Sequence, residues 1–402
     1  MAQHSAHMVQ PGKFTVSQKV RGLIFVSIFI GVVSFVLAFQ ADKTTHKTMV
    51  WEGYLTSLFF FVSVTVGGLF FTAIQHATNA GWSTTVRRVV ESLTAFLPYA
   101  FVATLIFVVF GSHSLFEWLD PEVVSKDEVL QNKQAYLNHS FYVIRTVAFF
   151  LLWLFFGKLI VGKSLQQDHA PDDTLTKRMV APSVIFLVVF ALSYSLFCVD
   201  HLMSLHPHWY STIFGVYCFS GLFQSTLAFT ILITIWLMKK GLLNGLVNEN
   251  HLHDLGKFLF AFTVFYAYIA FSQFMLIWYA NLPEETIYYA MRAHDGWMMV
   301  SMSLLVFKFI VPFLLLLPRA AKRDPDHMIR ISILILVMQY VDIYWMVYPN
   351  FHQDGVVVPF WGIGIFIGFL GVFLAVVTRF LEKNSIVAVN DPRLHEALHH
   401  HI

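Results

Sequence analysis

Ten stretches of this chain, at 19–39, 54–77, 89–111, 140–162, 179–201, 210–238, 257–280, 296–317, 329–348 and 357–380, each run for twenty or more residues with little charge. About 20 apolar residues are what a helix needs to cross the hydrocarbon core of a bilayer. No two-residue alternation of apolar and polar side chains runs through them, so helices fit and a transmembrane β-barrel does not. Composition agrees: 57% of the 402 residues are hydrophobic and only 12% are charged, about half the share a soluble domain carries. The expected fold is an all-α integral membrane protein of about ten transmembrane helices. Residues 1–18 form an N-terminal tail, 19–380 the membrane domain and 381–402 a C-terminal tail. The polar start leads into an apolar run long enough to span, which is expected to remain as an anchor.

Orientation follows from the basic residues. With the N-terminus and every second loop assigned to one side, nineteen Lys and Arg fall on that side and five on the other, leaving Arg145 and Lys308 within spans. The positive-inside rule makes the rich side cytoplasmic, so both termini are expected in the cytoplasm. The longest connection, 112–139, then lies outside and is acidic (Glu117, Asp120, Glu122, Asp127, Glu128). It reads either as a solvated loop or as a docking surface for a basic partner. A net charge of +2 gives no footing for nucleic acid. The loops are too short for a soluble catalytic module, and no P-loop occurs.

Two cysteines, Cys198 and Cys218, lie in apolar stretches with no CxxC or CxxCH motif, so covalent haem, a cysteine-ligated cluster and a zinc ribbon are unsupported. The nineteen histidines lie mostly in loops and in the terminal run His399 to His401, and no metal site is expected of them. A b-type haem needs facing histidines at membrane depth, and His76 and His201 lie near opposite faces. In the last span, Gly364 and Gly368 make a small-xxx-small pair suited to close helix approach. Pro98 and Pro312 are expected to kink their helices.

Ionisable groups inside a bilayer are costly, so each is a functional candidate whose partner must be found. Helix direction sorts them by depth. Toward the outer face lie Asp200, His201, Asp342, Arg145, Gln339, His294 and Asp295; Gln339 precedes Asp342 by three residues on one helical face. Toward the inner face lie Glu91, His76 and Lys308. A carboxylate, an imidazole, an arginine and an amide at one depth suit a quinone headgroup and its protons. The same residues read as an Arg145–Asp ion pair clipping helices together. The two layers together are expected either to end a proton path or, for the inner one, to reach the membrane interface.

The segments SLHPHWYSTIFGVYCFSG (204–221), following VDHLM, AFSQFMLIWYANLPEETIYY (270–289) and DPRLHEAL (391–398) resemble the NrfD/polysulfide-reductase membrane-subunit family. Within it they are similar to the smaller NrfD-like (ActF-type) subunits of bacterial alternative complex III. The resemblance implies NrfD-like helix bundles in the bacterial inner membrane and a place in the respiratory chain. The activity it implies is quinol:electron-acceptor oxidoreduction, with quinol oxidised near the outer face and proton translocation as a companion. It implies quinone as the only group this chain would meet, with haem and iron–sulfur clusters carried by partners. Those partners are a larger NrfD-like membrane subunit, an iron–sulfur protein and multihaem and monohaem cytochrome c subunits. The larger NrfD-like subunit is the better candidate for productive quinol oxidation, and no motif transfers its site residues to this chain. Two rivals stand beside this reading: a non-catalytic scaffold anchoring extracytoplasmic redox subunits, and a proton-coupled secondary transporter.

Overall fold

The computed structural model describes residues 12–44, 47–169 and 172–400; the N-terminal tail up to residue 11 and His401 lie outside the described residues. Among the described residues, ten helices are long and apolar enough to cross a membrane: α1 (Gln18–Ala41), α2 (Thr48–Ala77), α3 (Thr84–Leu115), α4 (His139–Gln167), α5 (Thr174–Leu205), α6 (Phe214–Lys239), α7 (Glu249–Ala280), α8 (Trp297–Leu316), α9 (Pro325–Asn350) and α10 (Phe360–Lys383). Each coincides with one of the ten apolar stretches, and no strand occurs among the described residues. The chain is a multi-pass, all-α membrane protein. The end carrying the Lys- and Arg-rich loops is called inner below and the other outer, after the expected orientation.

Helices α2, α3, α4 and α5 pack in a ring, and α6, α7, α8 and α9 pack in a second one. The two rings meet through α2 against α6 and α9, and α5 against α6. The central helices α2 and α6 are 89% and 83% buried across their apolar windows, against 11% for α1. Apolar side chains lie all round both, as suits a helix enclosed by others, with buried polar side chains set among them. Helix α1 lies along α10, outside both rings. A Cβ on Gly31 would come within 2.3 Å of the Gly368 Cα, so only glycine lets these backbones meet. Gly364 faces Ser34 in the same seam, and the small-residue pair read from the sequence is a packing seam.

At both Pro98 and Pro312 the helical winding changes. Regular α-structure in α3 breaks between Thr94 and Leu97, and Pro98 opens the next segment. In α8, residues Leu304–Ile310 are wound as a π-helix and Pro312 opens the turn that follows. Proline has no amide hydrogen for the preceding turn, so the break falls ahead of it. Pro182 sits inside α5 without ending it.

Connection 112–139 is mostly ordered. Asp120 and Asp127 cap the short helices Pro121–Lys126 and Glu128–Lys133, each offering a carboxylate to free amides at a helix start. The Trp118 indole donates to the Ser204 carbonyl at 3.2 Å and Lys133 to the Pro207 carbonyl at 2.6 Å. These bonds fasten the segment to the outer end of α5 and the connection after it, while Glu117, Asp120, Glu122 and Glu128 stay exposed.

Candidate functional site

The outer residues divide between the two rings. In the first, Arg145 of α4 donates from Nε and Nη2 to both oxygens of Asp200 of α5, at 2.9 Å each. Its remaining nitrogen donates to the Tyr136 carbonyl at 2.9 Å, and the guanidinium lies 3.8 Å from the Tyr136 ring centroid. Parallel double bonding is the strongest geometry available to such a pair, and it consumes both groups. His201, one residue on, points elsewhere: its ring stacks on Phe197 at 4.0 Å and Nδ1 lies 3.0 Å from the Phe197 carbonyl. A cavity of about 270 Å³ lies beside this pair, against Tyr136, Val199, Met203 and Trp209, without Arg145 or Asp200 in its wall. The arrangement is an ion pair clipping α4 to α5.

In the second ring, Asp342 of α9 gathers a denser group. One carboxylate oxygen accepts from Lys308 Nζ at 2.5 Å. The other accepts from the Tyr217 hydroxyl and, at 3.3 Å, from that of Tyr266. Lys308 also donates to Gln339 Oε1 at 2.7 Å and lies 3.9 Å over the Tyr266 ring. Lys308, Asp342, Gln339, Tyr217 and Tyr266 are all buried. Four helices contribute: α6 gives Tyr217, α7 Tyr266, α8 Lys308, and α9 Gln339 and Asp342. Gly221 of α6 makes room, since a Cβ there would meet Gln339 Oε1 at 2.6 Å.

This corrects the placement of Lys308 in the inner layer. It belongs to the π-wound turns of α8, and a buried ammonium reaches along its flexible stem to the one carboxylate within range. His294 and Asp295 are also set apart. Both are exposed in the turn before α8, where Asp295 adopts φ 49°, and neither touches the clusters. The buried group there is Arg292, which donates to the carbonyls of Tyr288, Trp345 and Met346 at 2.8, 3.0 and 3.1 Å. It ties down carbonyls at the outer end of α9, where helical carbonyls lack partners.

The inner layer retains Glu91 and His76 and gains Arg87, Arg88, Ser164, Asp168, Asp391 and Arg393. Arg88 pairs with Glu91, three residues on, and donates to both oxygens of Asp168 at 2.8 Å. Ser164 donates to the other Glu91 oxygen at 2.7 Å. Arg87 pairs with Asp391 of the C-terminal tail, which also accepts from Arg393 at 2.9 Å. Arg393 reaches His76 Nδ1 at 3.4 Å. Arg87, Arg88, Glu91 and His76 are wholly buried. Burial pushes the Asp391 carboxyl up, but its bond to Arg393 and the charges of Arg87 and Arg393 outweigh this and hold it well below the usual range.

Between the clusters run the two central helices, and buried polar side chains recur along them. Thr65, Thr72 and His76 on α2 are spaced by seven and four residues, and Thr226, Thr230 and Thr234 on α6 by four; such spacings share a helix face. Gln224 Nε2 donates to Thr263 at 3.0 Å. Five polar atoms in this region have no partner within the protein although buried: Thr65 Oγ1, Gln75 Oε1, His76 Nε2, Gln224 Oε1 and Thr234 Oγ1. Buried polar groups are normally hydrogen-bonded to protein or water. A run of partnerless ones marks positions where water would be held.

No family model matches this chain, and none of the curated proteins matches it. Among the described residues, no group of three or more His, Cys, Asp or Glu is placed to hold a metal ion.

Proposed function

We propose that this protein conducts protons as a membrane subunit of a quinol:electron-acceptor oxidoreductase of the alternative complex III type, in a bacterial cytoplasmic membrane. Quinol oxidation and the haem and iron–sulfur centres belong to the larger assembly. The observation that carries the conduction reading is the run of partnerless polar atoms on α2 and α6 between His76 at the inner end and the Asp342 network. Asp342 is the group to exchange protons at the outer end of this run. It has an ammonium and two phenols as neighbours, each able to donate or hold a proton. At the inner end His76 has one buried ring nitrogen with no partner in the protein. Protons crossing this way would work against the membrane potential, at about 2.3 kcal/mol per charge per 100 mV. The membership reading rests on the segments 204–221, 270–289 and 391–398. Two of them supply Tyr217 and Asp391 to the clusters just described.

Two measurements test this. The chain is captured from native membranes in mild detergent, and reduced-minus-oxidised spectra and quinol-dependent cytochrome c reduction are recorded. Co-purifying c-type haem with activity is expected; a colourless single chain without activity removes the assembly reading. In the assembled complex, Asp342→Asn is expected to abolish proton release into vesicles while the subunits stay together. Unchanged turnover and proton flux would leave a scaffold.

One observation favours the scaffold as a second role. The exposed acidic side chains of 112–139 are held on an ordered platform at the outer end, a surface suited to a basic extracytoplasmic partner. Neutralising Glu117, Asp120, Glu122 and Glu128 together is then expected to release that partner at moderate salt.

A further inference from the structure

The C-terminal tail crosses the inner end of the molecule rather than leaving it. Just past α10, Ile386 and Val387 are buried and anchor its near part. Asn390 then donates to the Gln167 and Asp168 carbonyls at the end of α4, at 3.1 and 2.9 Å, and Asp391 pairs with Arg87 of α3. The short helix Leu394–Leu398 lies by the α2–α3 turn, where a Cβ on Gly81 would stand 2.1 Å from the Glu396 carboxylate. His400 closes the far end on Asp254 of α7 at 2.5 Å. One segment thus ties the first ring to the second across the inner face.

His76 lies beneath it. The side chain is wholly buried, although α2 ends one residue later. Arg393 stands on its inner side, with Nη2 3.4 Å from His76 Nδ1. The Arg393 side chain is 13% exposed, against 1% for Asp391 and none for Arg87, so it is the member of this group that reaches water. A guanidinium donates and cannot accept, so the Nδ1 it meets presents a lone pair. The seated tail therefore holds His76 as a neutral imidazole with its acceptor nitrogen occupied and a cation in front of it. A proton arriving from the inner side meets both obstacles.

The seat is closed but shallow. Arg393 Nη1 is buried without an acceptor, which costs stability as long as the tail stays down. Apart from Leu394, Ala397 and Leu398, which pack against the core, the part beyond Asn390 is held by polar contacts. Such contacts are exchanged for bonds to water at small net cost once both partners are solvated. Gln75 Oε1 and His76 Nε2, also buried and without partners at this end, mark where water would enter behind a lifted tail.

We propose that the tail is a gate on His76: seated, Arg393 blocks Nδ1, and lifting of residues 391–400 admits protons from the inner side. What the gate serves rests on the conduction reading; how it moves does not.

The full chain, purified in mild detergent, is treated at about pH 7 with diethylpyrocarbonate, which carbethoxylates accessible neutral imidazoles. Segment 48–87 holds one histidine, His76, so mass spectrometry reads it directly. His201, buried at the outer end, reports unfolding. In the unaltered protein His76 is expected to react slowly, well behind the exposed His395 and His399. Arg393→Met keeps the stem without the donor, and Asp391→Asn weakens the seat. Each should speed His76 about tenfold, the usual worth of one hydrogen bond to a charged group, with His201 still protected. A short thiol tether between Gly81→Cys and Glu396→Cys, in the otherwise unaltered chain, should stop the slow reaction, and cleaving the tether should restore it. If His201 reacts in either substituted protein, the tether alone decides. His76 as reactive as His399 in the unaltered protein, or a slow reaction that the tether leaves unchanged, overturns the gate. So does a rate unmoved by both substitutions. In the assembled complex the tether should also stop proton flux reversibly, and flux that persists through a tethered tail overturns the proposal. A complex without flux before tethering removes the conduction reading, while the labelling still decides the gate.

Discussion

Lys308 shows what a bilayer interior demands of a single residue. Its ammonium has a carboxylate, an amide oxygen and an aromatic face around it, and none of these neighbours is within thirty residues of it in sequence. Removing the carboxylate leaves an uncompensated buried charge, a change costing about 3–5 kcal/mol. Asp342→Leu is therefore expected to destabilise the protein in detergent by that amount, whereas Lys308→Met with Asp342→Leu recovers most of it. Equal melting of the single and double variants would show that the pair is not the source of the loss. His352 makes a pH-dependent counterpart at the outer surface. Its hydrogen bond to Glu52 raises its pKa above the ordinary 6.5, against the effect of burial. A raised folded value means that the protonated form stabilises. The contribution is full below about pH 6.5 and fades as pH rises through the folded value. Hydrogen exchange in 351–359, corrected for its intrinsic rate, should accordingly be faster at about pH 8.5 than at about pH 6. Equal protection at both would remove this role.

Among the elements, α1 depends most on one contact. With only 11% of its apolar window buried, it gains its place from the Gly31–Gly368 seam rather than from hydrophobicity, because lipid is as apolar as its neighbours. Gly368→Leu forces the backbones apart. It is expected to cost about 1–3 kcal/mol and to weaken a thiol-crosslinking signal between cysteines placed on the exposed flanks of α1 and α10. An undiminished signal would mean that the seam tolerates the side chain. The C-terminal tail is a second element held by polar contacts: Asp391 to Arg87, Asn390 to the Gln167 and Asp168 carbonyls, and His400 to Asp254 at 2.5 Å. Because the folded pKa of Asp391 is depressed, its stabilisation is complete above about pH 4 and is lost as pH falls further. Asp391→Asn should therefore make residues 384–400 sensitive to protease at neutral pH, while the unaltered tail becomes so only under acid conditions.

For the whole molecule, the repeated design is the main lesson. Each ring places a cation on its third helix and a carboxylate on its fourth, Arg145 with Asp200 and Lys308 with Asp342. The two pairs share no partner, so the effects of Asp200→Asn and Asp342→Asn on stability should add within about 0.5 kcal/mol. A larger coupling would show that the rings act as one unit. Of the fold, the ten helices, their order and the α10 seam were legible in the sequence. Hydrocarbon thickness sets a length that apolar runs must meet, and small residues mark where backbones touch. The candidate site was legible only in its parts. Depth along a helix placed Arg145, Asp200, Gln339 and Asp342 in one layer, but depth carries no information about azimuth or about which helix is the neighbour. Those were decided by packing, which sent Arg145 to Asp200, brought Lys308 outward to Asp342, left His294 and Asp295 exposed, and buried Arg87 against the tail and Arg88 against the end of α4. A bilayer requires every span to be apolar and every buried charge to find a partner; the first condition is met residue by residue along the chain, the second only when the helices have come together.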